Sequence, residues 1–96
     1  MNQNQDLQMT FEDIVEQNER RIHYHIQQLK ISDPDQEFFQ EGLCAMWNAY
    51  RTYQPDKVPL ATYLNYMIRY RLIDLIRLKA KEQCHHNLLI QQEATM

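Results

Sequence analysis

A chain with one glycine and three prolines in 96 residues has little with which to build tight turns. Hairpin loops draw on glycine, asparagine and proline for backbone geometries that other residues adopt only at a cost. The shortage directs the chain toward a few long elements with few connections, which means helices. At 44% hydrophobic residues there is enough apolar surface for a core, and 96 residues suffice for one domain but not for two. The expected fold class is all-α: a compact three-helix bundle, or a four-helix bundle if the C-terminal segment docks.

Apolar spacing places the helices. Thr10 with Asp13 three residues later forms a capping-box signature, and Met9 and Ile14 stand where a hydrophobic staple closes over that cap. Phe11, Ile14, Val15, Ile22, Ile26 and Leu29 then make one apolar stripe, with Glu12, Glu16, Glu19, Arg20 and Gln27 mostly off it. His23 and His25 are two apart and point to different faces, so they are no metal pair; His25 falls near the stripe as a partly buried structural histidine. Lys30 to Ser32 connects to a second helix, for which Asp33 reads as N-cap and Pro34 as the first helical residue. Its apolar face is Phe38, Phe39, Leu43, Met46, Trp47 and Tyr50, while Glu37, Gln40, Glu41, Cys44 and Asn48 follow another face. Gly42 in mid-helix costs about 1 kcal/mol relative to alanine, so it asks for a packing or contact reason. Tyr53-Gln54-Pro55-Asp56 ends this helix.

Pro59 opens a third helix, expected to run to about Glu82. Leu64, Met67, Ile68, Leu72, Leu75 and Ile76 suit the core, and Thr62, Tyr66, Arg69, Tyr70, Ile73 and Arg77 line a second side. Aromatics mixed with arginine can stack on bases and pair with phosphates. The competing reading is a tyrosine-rich edge of an ordinary core with snorkelling arginines. The domain is expected over 10–82, after a flexible N-terminus 1–9. Residues 83–96 are expected as a tail or short helix whose Leu88-Leu89-Ile90 docks or meets a partner.

Charge is divided along the chain. Residues 1–56 hold Arg20, Arg21, Lys30 and Arg51 against ten acidic side chains, whereas residues 57–81 hold Lys57, Arg69, Arg71, Arg77, Lys79 and Lys81 against Asp74 alone. Such a distribution suits a protein that meets a basic protein surface on one side and phosphates on another. Cys44 and Cys84 are far apart and read as free thiols, and His85 and His86 lack the second cluster that a metal site needs, so no metal or cofactor is expected. No apolar run approaches the ~20 residues of a membrane span, and Met1 to Gln8 lacks the basic and apolar regions of a signal peptide, so the expected location is cytoplasmic. No nucleophile–histidine arrangement or glycine-rich phosphate loop points to an enzyme.

One ordered series of motifs narrows the reading. Gln40-Glu41-Gly42-Leu43, then Ala45, Trp47 and Ala49, then Tyr53-Gln54-Pro55-Asp56-Lys57, Leu60-Ala61-Thr62-Tyr63-Leu64, Ile68-Arg69, Ile73-Asp74 and Ile76-Arg77 resembles conserved region two of bacterial RNA polymerase sigma factors. The likeness is to the sigma-seventy family, extracytoplasmic-function-like, over roughly Thr10 to Glu82. It implies that Glu37, Gln40 and Glu41, with Trp47 near the same surface, bind the coiled coil of the largest subunit of core RNA polymerase. It further implies that Leu60, Thr62, Tyr63, Tyr66 and Met67 capture flipped bases of the non-template strand at the minus-ten element, with Arg69, Tyr70, Ile73 and Arg77 at neighbouring duplex and phosphate positions. A flipped base loses stacking and needs a pocket and aromatic faces in return.

The sequence departs from the family pattern at several points. Tyr66-Met67 stands where members carry two tryptophans, Lys57-Val58-Pro59 replaces a basic–glycine turn, and Leu60 occupies a frequently aromatic position. Nothing resembles the helix-turn-helix that reads the minus-thirty-five element, so a partner supplying that recognition, or an anti-sigma factor, joins the expected partners. The alternative function is a protein-only helical adaptor that binds polymerase or an anti-sigma factor without DNA contact. A helix-turn-helix regulator fits less well, because Leu43 to Tyr53 has no glycine-bearing turn into a recognition helix.

Overall fold

The structure, a computed structural model, describes residues 9–94. The described residues form three helices: α1 (Phe11–Gln28), α2 (Glu37–Thr52) and α3 (Leu60–Ala94). Most of the expected flexible N-terminus lies outside the described residues. Met9 is half-buried against the core, consistent with its place in the staple.

The start of α1 follows its sequence signature. The Asp13 N–H donates to Thr10 Oγ1 (3.1 Å) and the Thr10 N–H donates to Asp13 Oδ2 (3.2 Å), closing the capping box. Ile14, Asn18, Ile22 and His25 are its buried residues, at helical spacing. Asn18 was not expected there. Its Nδ2 donates to the Ile14 carbonyl (2.9 Å) and its Oδ1 accepts from Arg21 Nε (2.8 Å), so both ends of the buried amide are satisfied. At the other end the Ile31 N–H reaches the Ile26 carbonyl and the Lys30 N–H reaches the Gln27 carbonyl, both at 3.0 Å. This is a Schellman closure with Lys30 left-handed at φ 56°, where glycine is usual.

The start of α2 differs from expectation. Asp33 and Pro34 do not begin the helix; they form a turn in which the Gln36 N–H donates to the Asp33 carbonyl (3.2 Å). Gln36 then occupies the N-cap at φ 59° without a side-chain bond. The capping function stays with Asp33, reached across the turn: its two carboxylate oxygens accept from the N–H groups of Phe38 and Phe39, each at 3.0 Å. The buried side of α2 is Phe38, Gly42, Ala45, Met46 and Ala49. Phe39, Leu43 and Tyr50 pack only at its margin, and Trp47, assigned to the apolar face from sequence, is 44% exposed. Gly42 has the packing reason its position asked for. A Cβ there would lie 2.5 Å from Ile22 Cγ2, so the Ile22 side chain of α1 fills the space that a larger residue would need.

The connection to α3 is fixed by the buried Tyr53, whose hydroxyl donates to the Val58 carbonyl (2.7 Å). Pro59 immediately precedes α3, its carbonyl accepting the Tyr63 N–H (3.1 Å). Leu64, Ile68 and Leu72 are fully buried against Ile14, Ile22, Met46 and Ala49. Each large side chain so buried stabilises the bundle by about 1.5–3 kcal/mol relative to exposure. The helix does not stop at Glu82. It continues to Ala94 as one 35-residue element, roughly 50 Å long at 1.5 Å per residue. Leu88, Leu89 and Ile90 are about half exposed on this extension and do not fold back as a fourth helix.

Candidate functional site

Two outward surfaces collect the residues singled out from sequence. On α2, Glu37, Gln40, Glu41, Cys44, Trp47 and Asn48 recur at three- and four-residue spacing, away from the buried Gly42–Ala45–Ala49 side. Gln40 is exposed. Glu41 is half-exposed, and its Oε1 accepts from Arg71 Nε of α3 at 2.8 Å. Glu37 Oε1 pairs with Lys79 Nζ at 2.7 Å, and this hydrogen bond raises the pKa of the Lys79 ammonium. Trp47 stands out from the bundle yet is held in place. Its ring meets Phe11 edge-on (5.1 Å, 79°) and lies near-parallel to Tyr50 (5.8 Å, 29°).

The second surface is on α3. Tyr66 and Tyr70 are 64% and 58% exposed, one helical turn apart, with stacked rings (6.3 Å, 16°). Thr62, Arg69 and Arg77 are exposed beside them and Ile73 is half-buried. Among the described residues neither Arg69 nor Arg77 has an ion-pair partner. This is not the edge of a core. The tyrosine faces are open, and stacked rings next to unpaired guanidiniums can accept a flat base and a phosphate.

The remaining expected strand contacts sit differently. Leu60, Tyr63 and Met67 are half-buried and pack against the core. The Thr52 hydroxyl donates to the Asn48 carbonyl (2.8 Å), which leaves the Tyr63 hydroxyl to donate to Thr52 Oγ1 (2.7 Å). Tyr63 therefore ties the end of α2 to the start of α3, and only part of its ring borders the open surface.

A third feature went unread in the sequence. Arg20, Arg21 and Tyr24 of α1 and Asn65 of α3 line a groove of about 560 Å³, within the size range of small-ligand clefts. His25, next to Tyr24 in sequence, is buried with Nε2 3.3 Å from Asn65 Oδ1 and, among the described residues, with no partner for Nδ1. An orphaned buried donor is costlier than an orphaned acceptor, so the proton belongs on Nε2, and the amide NH₂ of Asn65 is turned away from His25. Burial lowers the His25 pKa, with Arg69 and Arg21 adding to the effect and the Asn65 bond opposing it. The Arg20-Arg21 doublet was a visible signal, but the arrival of Asn65 from a different helix was not.

Among the described residues no group of three His, Cys, Asp or Glu side chains could hold a metal ion, and Cys44 and Cys84 are exposed free thiols. Among the described residues no helix is long and apolar enough to cross a membrane.

The described residues form an all-helical bundle whose second helix turns Gln40 and Trp47 outward and whose third carries exposed tyrosines and arginines. Residues 14–82 match the Sigma-70 region 2 family, and the chain belongs to that family. It is similar to the RNA polymerase sigma factor SigS of Staphylococcus aureus (strain NCTC 8325 / PS 47), with 33% identity over 70 residues. That alignment covers 72% of this chain and 45% of the relative, so the chain spans less than half of that protein's length. No solved structure matches the chain.

Proposed function

We propose that this chain acts in transcription initiation, docking on core RNA polymerase through α2 and holding the unpaired non-template strand of the minus-ten element on α3. Glu37, Gln40, Glu41 and Trp47 form the docking face for the coiled coil of the largest subunit. Tyr66, Tyr70, Arg69 and Arg77, with Thr62 and Ile73, form the strand surface, bordered by Leu60, Tyr63 and Met67. Residues 10–82 are the working module, located with the polymerase in the cytoplasm, and recognition of the minus-thirty-five element falls to another polypeptide or segment.

The observation that carries this reading is the exposed, stacked Tyr66–Tyr70 pair beside arginines without counter-ions. A water-soluble bundle gains little from holding two tyrosines open on one helix face, and stacking on bases is a use for them worth about 1–3 kcal/mol per base. Glutamine and glutamate on a rigid helix offer the acceptors that a basic coiled coil requires.

Recovery of the chain with immobilised core polymerase tests the docking half. Gln40→Arg is the informative variant, because Gln40 is exposed and the change leaves the core intact. Recovery should fall about tenfold, as for a like charge set against a basic partner. Tyr66→Ala with Arg69→Ala should leave recovery unchanged and abolish promoter-dependent transcription. Unchanged transcription in that double variant supports the protein-only adaptor instead, and undiminished recovery of Gln40→Arg contradicts the docking face.

A further inference from the structure

In the sequence α2 reads as an acidic helix, but in the fold its outward carboxylates are already matched. Glu41 meets Arg71 at 2.8 Å and Glu37 meets Lys79 at 2.7 Å, both cations reaching across from α3. Arg51, exposed on the last turn of the same face, adds a further positive charge. The docking face therefore presents a basic partner with two carboxylates that each carry a cation already. A guanidinium or ammonium approaching Glu41 must displace Arg71 or share the carboxylate with it. Sharing sets two like charges a few ångströms apart, which weakens the attraction.

The geometry of the pairs suits exchange. Arg71 uses Nε alone on one oxygen of Glu41, not the two-pronged arrangement that makes arginine–carboxylate pairs strong. The side chains of Arg71 and Glu41 are 36% and 33% exposed, and those of Lys79 and Glu37 42% and 53%. Exposed pairs of this kind add little to folding. Losing the cation changes the surface more than the bundle.

We infer that Arg71 and Lys79 are built-in competitors for the polymerase's basic contact residues and hold down the affinity of the α2 face for its partner. The inference rests on the reading of that face as the docking surface. It makes two α3 residues, neither on the tyrosine–arginine surface, determinants of how tightly the chain joins the polymerase.

The test measures binding of the full chain to core RNA polymerase across a range of salt, for wild type, Lys79→Gln, Arg71→Gln and Gln40→Arg. Lys79→Gln and Arg71→Gln should each tighten binding about fivefold at low salt, with the gain fading as salt rises and the melting temperature nearly unchanged. Unchanged or weaker binding by Lys79→Gln, whose pair is the more exposed and whose loss disturbs the fold least, overturns the inference, as does weaker binding by a folded Arg71→Gln. Gln40→Arg separates the two failures. If it binds as well as wild type, the docking surface itself is wrong; if it binds worse while the α3 variants gain nothing, only the competition is wrong.

Discussion

At the scale of single residues, Gly42 and His25 carry the sharpest consequences. Alanine at position 42 gains about 1 kcal/mol of helix propensity, but its Cβ must displace the buried Ile22 side chain. Overpacking of a tight core typically costs about 1–3 kcal/mol, and the Cγ2 that stands in the way belongs to a fully buried side chain. Gly42→Ala should lower the melting temperature by roughly 5–10 °C. Combined with Ile22→Ala the two losses should be less than additive, because the truncated side chain leaves room for the new methyl. His25 sets a pH dependence. Burial holds its pKa below 6.5 in the folded protein, and unfolding releases it to that value. The unfolded chain therefore binds more protons in the window between the folded pKa and 6.5. The stability linked to His25 is complete above 6.5 and declines as pH falls through that window. Melting temperatures followed downward from neutral pH should fall for the wild type, and His25→Gln, which keeps a donor for Asn65, should flatten that decline.

At the scale of elements, Asp33 is where sequence and structure part in an instructive way. The sequence predicts Asp33 as the N-cap of a helix starting at Pro34; instead its side chain caps, across a turn, a helix that begins at Glu37 and has Gln36 at the N-cap position. The carboxylate spans a turn closed by the left-handed Gln36, and nothing in the local sequence announces that a glutamine will adopt φ 59°. Asp33→Ala leaves the Phe38 and Phe39 N–H groups without acceptors and should cost about 1–2 kcal/mol, measured by denaturant unfolding, with Asp33→Asn intermediate. The start of α1 was legible because Thr10 and Asp13 satisfy each other within four residues. The inner side of α2 was harder to read: Gly42, Ala45 and Ala49 are small, so the larger Trp47 drew the apolar face toward itself. What decides the matter is the close approach of Ile22, a tertiary fact. The length of α3 was underestimated for a related reason. Residues 80–90 are exposed throughout, so no apolar periodicity marks them. The absence of glycine and proline beyond Pro59, with lysine, glutamate, glutamine and leucine in their place, was the better guide.

At the scale of the whole molecule, one small core holds the outward faces of α2 and α3 in a fixed relation. Ile22, Met46 and Ile68 lock the three helices together. The outward residues of α2 and α3 were legible from motif order and helical spacing, whereas their states were not. The pairing of Glu37 and Glu41 with α3, the tether between Tyr63 and Thr52, and the groove between Arg20, Arg21, Tyr24 and Asn65 all depend on which helices meet. In the proposed function these faces divide the labour, one for the polymerase and one for the strand. Fluorescence anisotropy of a labelled single-stranded minus-ten oligonucleotide, titrated with the assembled chain–polymerase complex, tests it most directly. Tyr66→Ala with Arg69→Ala should weaken strand binding at least about tenfold, by loss of a stacking face and a phosphate contact, while the complex still assembles. Strand binding that is equal for wild type and double variant, in complexes of equal occupancy, would contradict it.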